Sequence, residues 1–219
     1  MALDKIISIL PLFFIELAVL VSLLSFRDNF PFNLKRLSLL WIFMFLVEIT
    51  GHITGMMKIR NFWLYTIFDI IFFLSLAFIF YQQLNSRLTR SIIRIFCIVF
   101  SLFAFCNIIF IQKLRDYNSF NYITGGTFII LLAVVYFRKL YEEEKTDSIT
   151  RDPFFWFSTG FLIYFGSTVP FLGMYNLLLD HYPGFTAFYH KYVYVFFTVL
   201  LNILIAIGFL CRKNYPKTY

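Results

Sequence analysis

Seven stretches of about 20 predominantly apolar residues, the length that crosses the hydrocarbon core of a bilayer, fill two-thirds of this chain. They run over 6–26, 37–57, 61–81, 92–112, 122–141, 154–177 and 192–210. The mean hydropathy of +0.78 agrees. The pattern predicts an all-α protein, a seven-transmembrane-helix bundle forming one domain over 1–219.

The distribution of Lys and Arg sets the orientation, because basic residues accumulate on the cytoplasmic side. Arg27, Lys35, Arg36, Arg87, Arg90, Arg94, Arg138, Lys139, Lys145, Arg151, Arg212, Lys213 and Lys217 fall on one side, 13 of the 19. Lys5, Lys58, Arg60, Lys113, Arg115 and Lys191 fall on the other. The expectation is an N-terminus outside and a C-terminus in the cytoplasm. The net charge of +7 then belongs to membrane topology and lipid headgroups, and no nucleic-acid partner is expected. Span one has no small-residue cleavage site beside a basic start, so it reads as a retained helix and not a signal peptide.

Aromatic residues make up 22% of the chain. Trp41, Trp63, Tyr81, Tyr117, Tyr122, Tyr141, Trp156 and Tyr192 lie near span ends, as an interfacial belt does. Cys97, Cys106 and Cys211 form no CxxC pair and no disulfide framework. The outer segment 178–190 is aromatic for a loop, turns at Pro183-Gly184, and can lie along the membrane or cap the bundle. The most polar connection, 142–153, contains Glu142, Glu143 and Glu144 and is a candidate contact for a cytoplasmic partner.

Ionisable groups inside a bilayer are costly and tend to mark function. Four lie within the spans: Glu16, Glu48, His52 and Asp69. At 1.5 Å per residue, Glu16 and Glu48 sit near the midplane. Asp69 lies about 3 Å toward the outside, and His52 about 7–8 Å. Glu48 and His52 are four apart and share a helix face, as do Tyr65 and Asp69. Asn107, Ser167, Thr168 and Asn202 add neutral polar groups at middle or outer depth. These nine residues suggest an outward-facing polar pocket with Glu16 at its floor. The alternative is that they hydrogen-bond across helices as packing glue. Gly51 and Gly55 allow close helix approach, and Gly160, Gly166 and Pro170 make span six a candidate for bending.

Known seven-helix chemistries narrow the reading. No lysine lies inside span seven, which a retinal Schiff base needs. One intramembrane histidine does not support a three-histidine zinc site, so neither metal nor cofactor is expected. Acid–base lipid hydrolysis similar to that of bacterial lysoplasmalogenases stays open through Glu16, Glu48 and Asp69, as does a structural membrane subunit. The runs FWFSTGFLIYFGS at 155–167 and NSFNY at 118–122, with the Glu48 span, resemble an uncharacterised family of seven-helix bacterial inner-membrane proteins of about this length. The resemblance implies a multi-pass protein of the bacterial inner membrane, surrounded by lipid, that signals with a partner such as a small membrane-anchored histidine kinase. The expected function is a receptor-like sensor.

Overall fold

The computed structural model describes residues 2–27, 32–112, 117–143 and 146–211. Lys113, Arg115, Glu144, Lys145, Arg212, Lys213 and Lys217 lie outside the described residues, as do the side chains of Lys5 and Arg27. The chain is all-helical, with no strand among the described residues. That is the expected outcome where lipid offers no hydrogen bonds and the backbone must satisfy itself within each segment.

The helices are α1 (Ala2–Arg27), α2 (Phe32–Met56), α3 (Phe62–Gln83), α4 (Arg87–Cys106), α5 (Ser119–Glu142), α6 (Pro153–Gly173), α7 (Tyr175–His181), α8 (Pro183–Phe188) and α9 (Val195–Leu210). A π-helical turn, Asn107–Ile111, extends α4. Another, Tyr189–Tyr194, joins α8 to α9 in one rod, and a 3-10 turn, Thr146–Arg151, precedes α6. Six segments are long and apolar enough to cross a membrane: Leu34–Met56, Phe62–Gln83, Arg87–Ile111, Ser119–Glu142, Pro153–Gly173 and Pro183–Leu210. In α1 the described apolar stretch is shorter, Ile9–Leu23.

Consecutive long helices alternate in direction. We call the end where α2 passes to α3 the upper end, and the end where α3 passes to α4 the lower. Side by side, α1, α2, α3, α5, α6 and α9 close a ring, since α9 returns to pack on α1. Outside that ring α4 leans on α3 and α5. In α1 the buried row is Ile15, Ala18, Val19 and Ser22, the i, i+3, i+4, i+7 pattern of one helix face. Ser22 and Ser38 share a 2.7 Å hydrogen bond that ties α1 to α2. A side chain at Gly125 would overlap the Phe73 ring, so glycine lets α5 close on α3.

Helix ends are built as the sequence suggests. Asp152 caps α6, accepting from Phe154 N at 3.0 Å, with Pro153 at the first helical position. At the lower end, Arg90 Nε donates to the carbonyls of Leu84 (2.8 Å) and Tyr81 (3.3 Å). Lys139 Nζ reaches the Gln83 carbonyl at 2.8 Å. Two of the basic residues crowding this end thus close the C-terminus of α3. The lower axis is filled with rings. Phe80 meets Phe154 and Phe161, Trp41 meets Phe161, and Phe157 meets Phe209, with centroids 5.0–6.3 Å apart.

Two sequence expectations need correction here, the belt and the start of the last helix. Trp41 is no belt residue: it is fully buried, and its Nε1 donates to Asn202 Oδ1 at 2.9 Å. Tyr122 is likewise buried, whereas Tyr141, Trp63 and Tyr192 are exposed as belt residues are. Helix α6 continues through Pro170, and the irregular turns fall in the α4 extension and before α9. Finally, the last long helix starts at Pro183 and not near 192. Pro183 opens it without loss, because the first turn needs no N–H there.

Candidate functional site

The upper half of the bundle holds a cavity of about 240 Å³. Helix α2 contributes Met44 and Glu48; α3 contributes Phe62, Tyr65, Phe68, Asp69, Phe72 and Phe73. Tyr117 comes from just before α5 and Tyr122 from its first turn, and Tyr164, Phe165 and Leu172 from α6. Tyr175, His190, Tyr194, Thr198 and Leu201 complete the wall, with Asn61 at the α2–α3 link.

Two carboxyls from different helices therefore face one space. The Tyr65 hydroxyl donates to Glu48 Oε2 at a long 3.4 Å, and Asp69 follows Tyr65 by one helical turn on α3. Gly51 makes this approach possible, since a Cβ there would overlap the Tyr65 hydroxyl. Asn61 Nδ2 donates to the Gly51 carbonyl (2.9 Å) and to Thr54 Oγ1 (3.0 Å), which locks the α2–α3 corner.

The remaining wall is a run of rings. Tyr117 touches Tyr175 (5.1 Å), Tyr175 touches His190 (5.5 Å), His190 touches Tyr194 (5.1 Å), and Tyr194 touches Tyr164 (6.3 Å). Successive planes are turned by 57–83°, near the edge-to-face geometry that ring quadrupoles favour. Three phenols of the cavity, Tyr122, Tyr164 and Tyr194, have their hydroxyls anchored. Tyr164 donates to Tyr194 at 3.2 Å. Thr168 Oγ1 gives its one hydrogen to the Tyr164 carbonyl (2.8 Å) and so accepts from Tyr122, also at 2.8 Å. Outside the spans, burial holds the Tyr117 phenol well above its ordinary range, with Asp69 adding to the rise. Burial raises Tyr175 as well. Both phenols stay protonated donors at neutral pH.

Of the nine residues singled out in the sequence, the structure brings Glu48, Tyr65 and Asp69 to the cavity. Glu16 is not its floor. It is exposed on the outer face of α1, one residue and so about 100° round from the buried Ile15. His52 is half-buried one turn above Glu48 and does not line the cavity. Asn107 is fully buried elsewhere, donating to Gln112, Asn118 and Asn121 at 3.0–3.2 Å. Asn118 passes the chain on to Thr66 at 3.1 Å. Those contacts brace the upper ends of α3, α4 and α5, and they occupy the asparagines of the NSFNY run. Ser167 bonds back to the Ile163 carbonyl, and its own carbonyl accepts from Tyr189. Thr168 holds Tyr122 from behind. Asn202 sits with Trp41 below Leu201 and donates to the Thr198 carbonyl at 2.8 Å.

Residues missed by the sequence reading are Asn61, Tyr164, Tyr175, His190 and Tyr194, together with Tyr117 and Tyr122, which were counted in the belt. The available signal was a phenol inside an apolar span: Tyr164 is one, and such a hydroxyl needs a partner wherever it is buried. Segment 178–190 meets the cavity at one end and is otherwise exposed at several apolar side chains. Tyr175 just before it and His190 at its end reach the cavity, while Leu177 and Leu179 stay exposed. Among the described residues, no three His, Cys, Asp or Glu side chains converge as metal ligands do. Comparison of the chain with family models, curated proteins and solved structures finds no match, so a functional reading stands on the cavity's own chemistry.

Proposed function

We propose that this is a seven-span sensor of the bacterial inner membrane, with its N-terminus outside and its upper cavity serving as a ligand pocket. One observation carries the reading: two carboxyls from different helices share a cavity in a bundle otherwise filled with aromatic rings. Intramembrane carboxyls are rare because they are costly, and they face interior cavities where they bind something. Orientation follows from charge. Among the described side chains, Lys35, Arg36, Arg87, Arg90, Arg94, Arg138, Lys139 and Arg151 lie toward the lower end, against Lys58, Arg60 and Lys191 toward the upper. A reporter active only in the cytoplasm, fused after Tyr219, should be active. A silent one would reverse the orientation.

A membrane partner is the natural destination of the signal, and Glu16 supports one. A carboxyl on the outward face of α1, among the exposed Phe13, Leu17 and Leu20, costs roughly 2.5–3.5 kcal/mol in lipid, and a polar group on a neighbouring helix would relieve that. The acidic connection offers less. Glu142 pairs with Arg138 at 2.7 Å and Glu143 with Lys139 at 3.7 Å within α5, while Glu144 lies outside the described residues. A membrane-anchored histidine kinase remains the partner class proposed. Ligand binding would act on it only through differential affinity for two helix arrangements.

The same two carboxyls support a second reading, acid–base hydrolysis of a lipid. The test for both is native mass spectrometry of the extracted protein beside a lysolipid hydrolysis assay. A sensor should retain a small molecule that is lost in Glu48→Gln with Asp69→Asn, and should hydrolyse nothing. Hydrolysis abolished by Glu48→Gln would make the chain an enzyme.

A further inference from the structure

We propose that the upper cavity binds a small organic cation, an alkylated ammonium compound of about the size of choline. This rests on the ligand-pocket reading above and names the ligand's class. Three features of the wall point the same way. First, its charge is one-sided: Glu48 and Asp69 line it, and neither Lys nor Arg does. Asp69 makes no hydrogen bond to any described residue, while Glu48 has only the long bond from Tyr65. Neighbouring carboxyls in a water-poor setting favour an opposite charge between them.

Second, the rest of the wall is aromatic. Six tyrosines line it, and the edge-to-face sequence Tyr117–Tyr175–His190–Tyr194–Tyr164 sets rings at steep angles around one space. Ring faces attract cations that lack hydrogen-bond donors, such as trimethylammonium, which neither water nor carboxylate solvates tightly. A bare metal ion needs a dense shell of oxygens, and no cluster of three acidic, His or Cys groups supplies one among the described residues. An anion would meet two carboxyls. Third, the size fits. About 240 Å³ lies just under the roughly 300–1,000 Å³ of drug-sized pockets, which suits a small headgroup and not an acyl chain. The π turn Tyr189–Tyr194 carries His190 and Tyr194 into this wall, and such turns recur at functional sites.

The experiment is calorimetric titration of the purified full chain with choline and with 3,3-dimethylbutan-1-ol, which has nearly the same shape but no charge. Choline should saturate and bind about tenfold or more tightly than the alcohol. Asp69→Asn and Tyr194→Leu should each weaken choline about tenfold, while Tyr194→Phe, which keeps the ring, should not. Circular dichroism and melting separate lost binding from lost folding. Equal binding of the two probes, or saturation by neither, overturns the proposal. A second arm isolates the pocket reading. Thr198→Cys, in a chain with Cys97, Cys106 and Cys211 replaced by Ser, is treated from outside with a neutral thiosulfonate. Reaction with no choline preference leaves a pocket of another specificity. No reaction overturns both the outward pocket and the cation.

Discussion

The two halves of this bundle use the same helices and hold themselves together differently. Down α3 the inward row reads Tyr65, Asp69, Phe72, Leu76, Phe80; down α9 it reads Tyr194, Thr198, Leu201, Ile205, Phe209. Up α6 it reads Phe154, Phe157, Phe161, Phe165, Thr168, with Tyr164 beside them. Each row grades from hydroxyl or carboxyl at the upper end to phenylalanine at the lower. Below, the phenylalanine rings meet by shape, with Trp41 bonded to Asn202 beside them, in the close packing usual of protein interiors. Above, phenols are pinned at hydrogen-bond distance: Tyr122 to Thr168, Tyr164 to Tyr194, Tyr189 to the Ser167 carbonyl. Directional bonds set where each ring stops, and the space between them stays open. A cavity here is a consequence of adding hydroxyls to an aromatic core.

The sharpest break of that comparison is Phe161→Ala. The ring is fully buried at the junction of Trp41, Phe80 and Phe165, so its removal should cost about 3–5 kcal/mol in reversible unfolding from mixed micelles. Tyr194→Phe in the upper half keeps the ring and loses one hydrogen bond, so it should cost about 0.5–1.5 kcal/mol. Equal costs would mean that the halves are held alike.

Next is the amide brace that keeps the upper end in register. Asn107→Leu removes the donor shared by Gln112, Asn118 and Asn121 and should cost about 1–3 kcal/mol for each acceptor left buried without one. Hydrogen exchange should rise at the start of α5 and leave the lower rows unchanged. Protection lost throughout would tie the halves into one cooperative unit.

Gly51 and Gly55 sharpen the comparison within a single helix. Gly51→Ala forces the Tyr65 hydroxyl away from Glu48 and should cost about 1–3 kcal/mol as overpacking. Gly55 faces open space, so Gly55→Ala should stabilise by about 0.5–1 kcal/mol. Identical melting shifts would show that α2 and α3 do not depend on this close approach.

The sequence made some of this legible and hid the rest for a physical reason. Apolar runs located the long helices to within a few residues, except where the turn signal at Pro183-Gly184 set 183–191 apart from the last one. Depth was readable, because rise per residue is constant, and it brought Glu48 and Asp69 to one level. Azimuth was not. Glu16 lies at the right depth, yet which face of α1 turns inward is decided by its neighbours α2 and α9, and Ile15 took that place. Tyrosines near span ends carry the same sequence signal whether they meet lipid headgroups or a cavity. Tyr141 and Tyr122 differ only in the packing around them.

The last expected effect, about as small as that of Gly55→Ala, concerns the turn that ends α2 above the cavity. Lys58 takes a left-handed conformation, φ 56°. Ile59 N donates to the Thr54 carbonyl at 2.9 Å and Lys58 N to the Gly55 carbonyl at 3.0 Å. That is the paired pattern of a Schellman end, where glycine is the usual residue because a Cβ crowds the following carbonyl. Lys58→Gly relieves the crowding and should raise stability by about 1 kcal/mol. It also removes one of the few basic residues at the upper end, so insertion should be at least as uniform as before. The Asn61 bonds to Gly51 and Thr54 follow directly after this turn, and a firmer turn should hold Tyr65 and Glu48 more tightly. Lower stability in Lys58→Gly would mean that the lysine side chain holds the corner itself. The upper half would then depend on a charge at its rim as well as on the hydroxyls within.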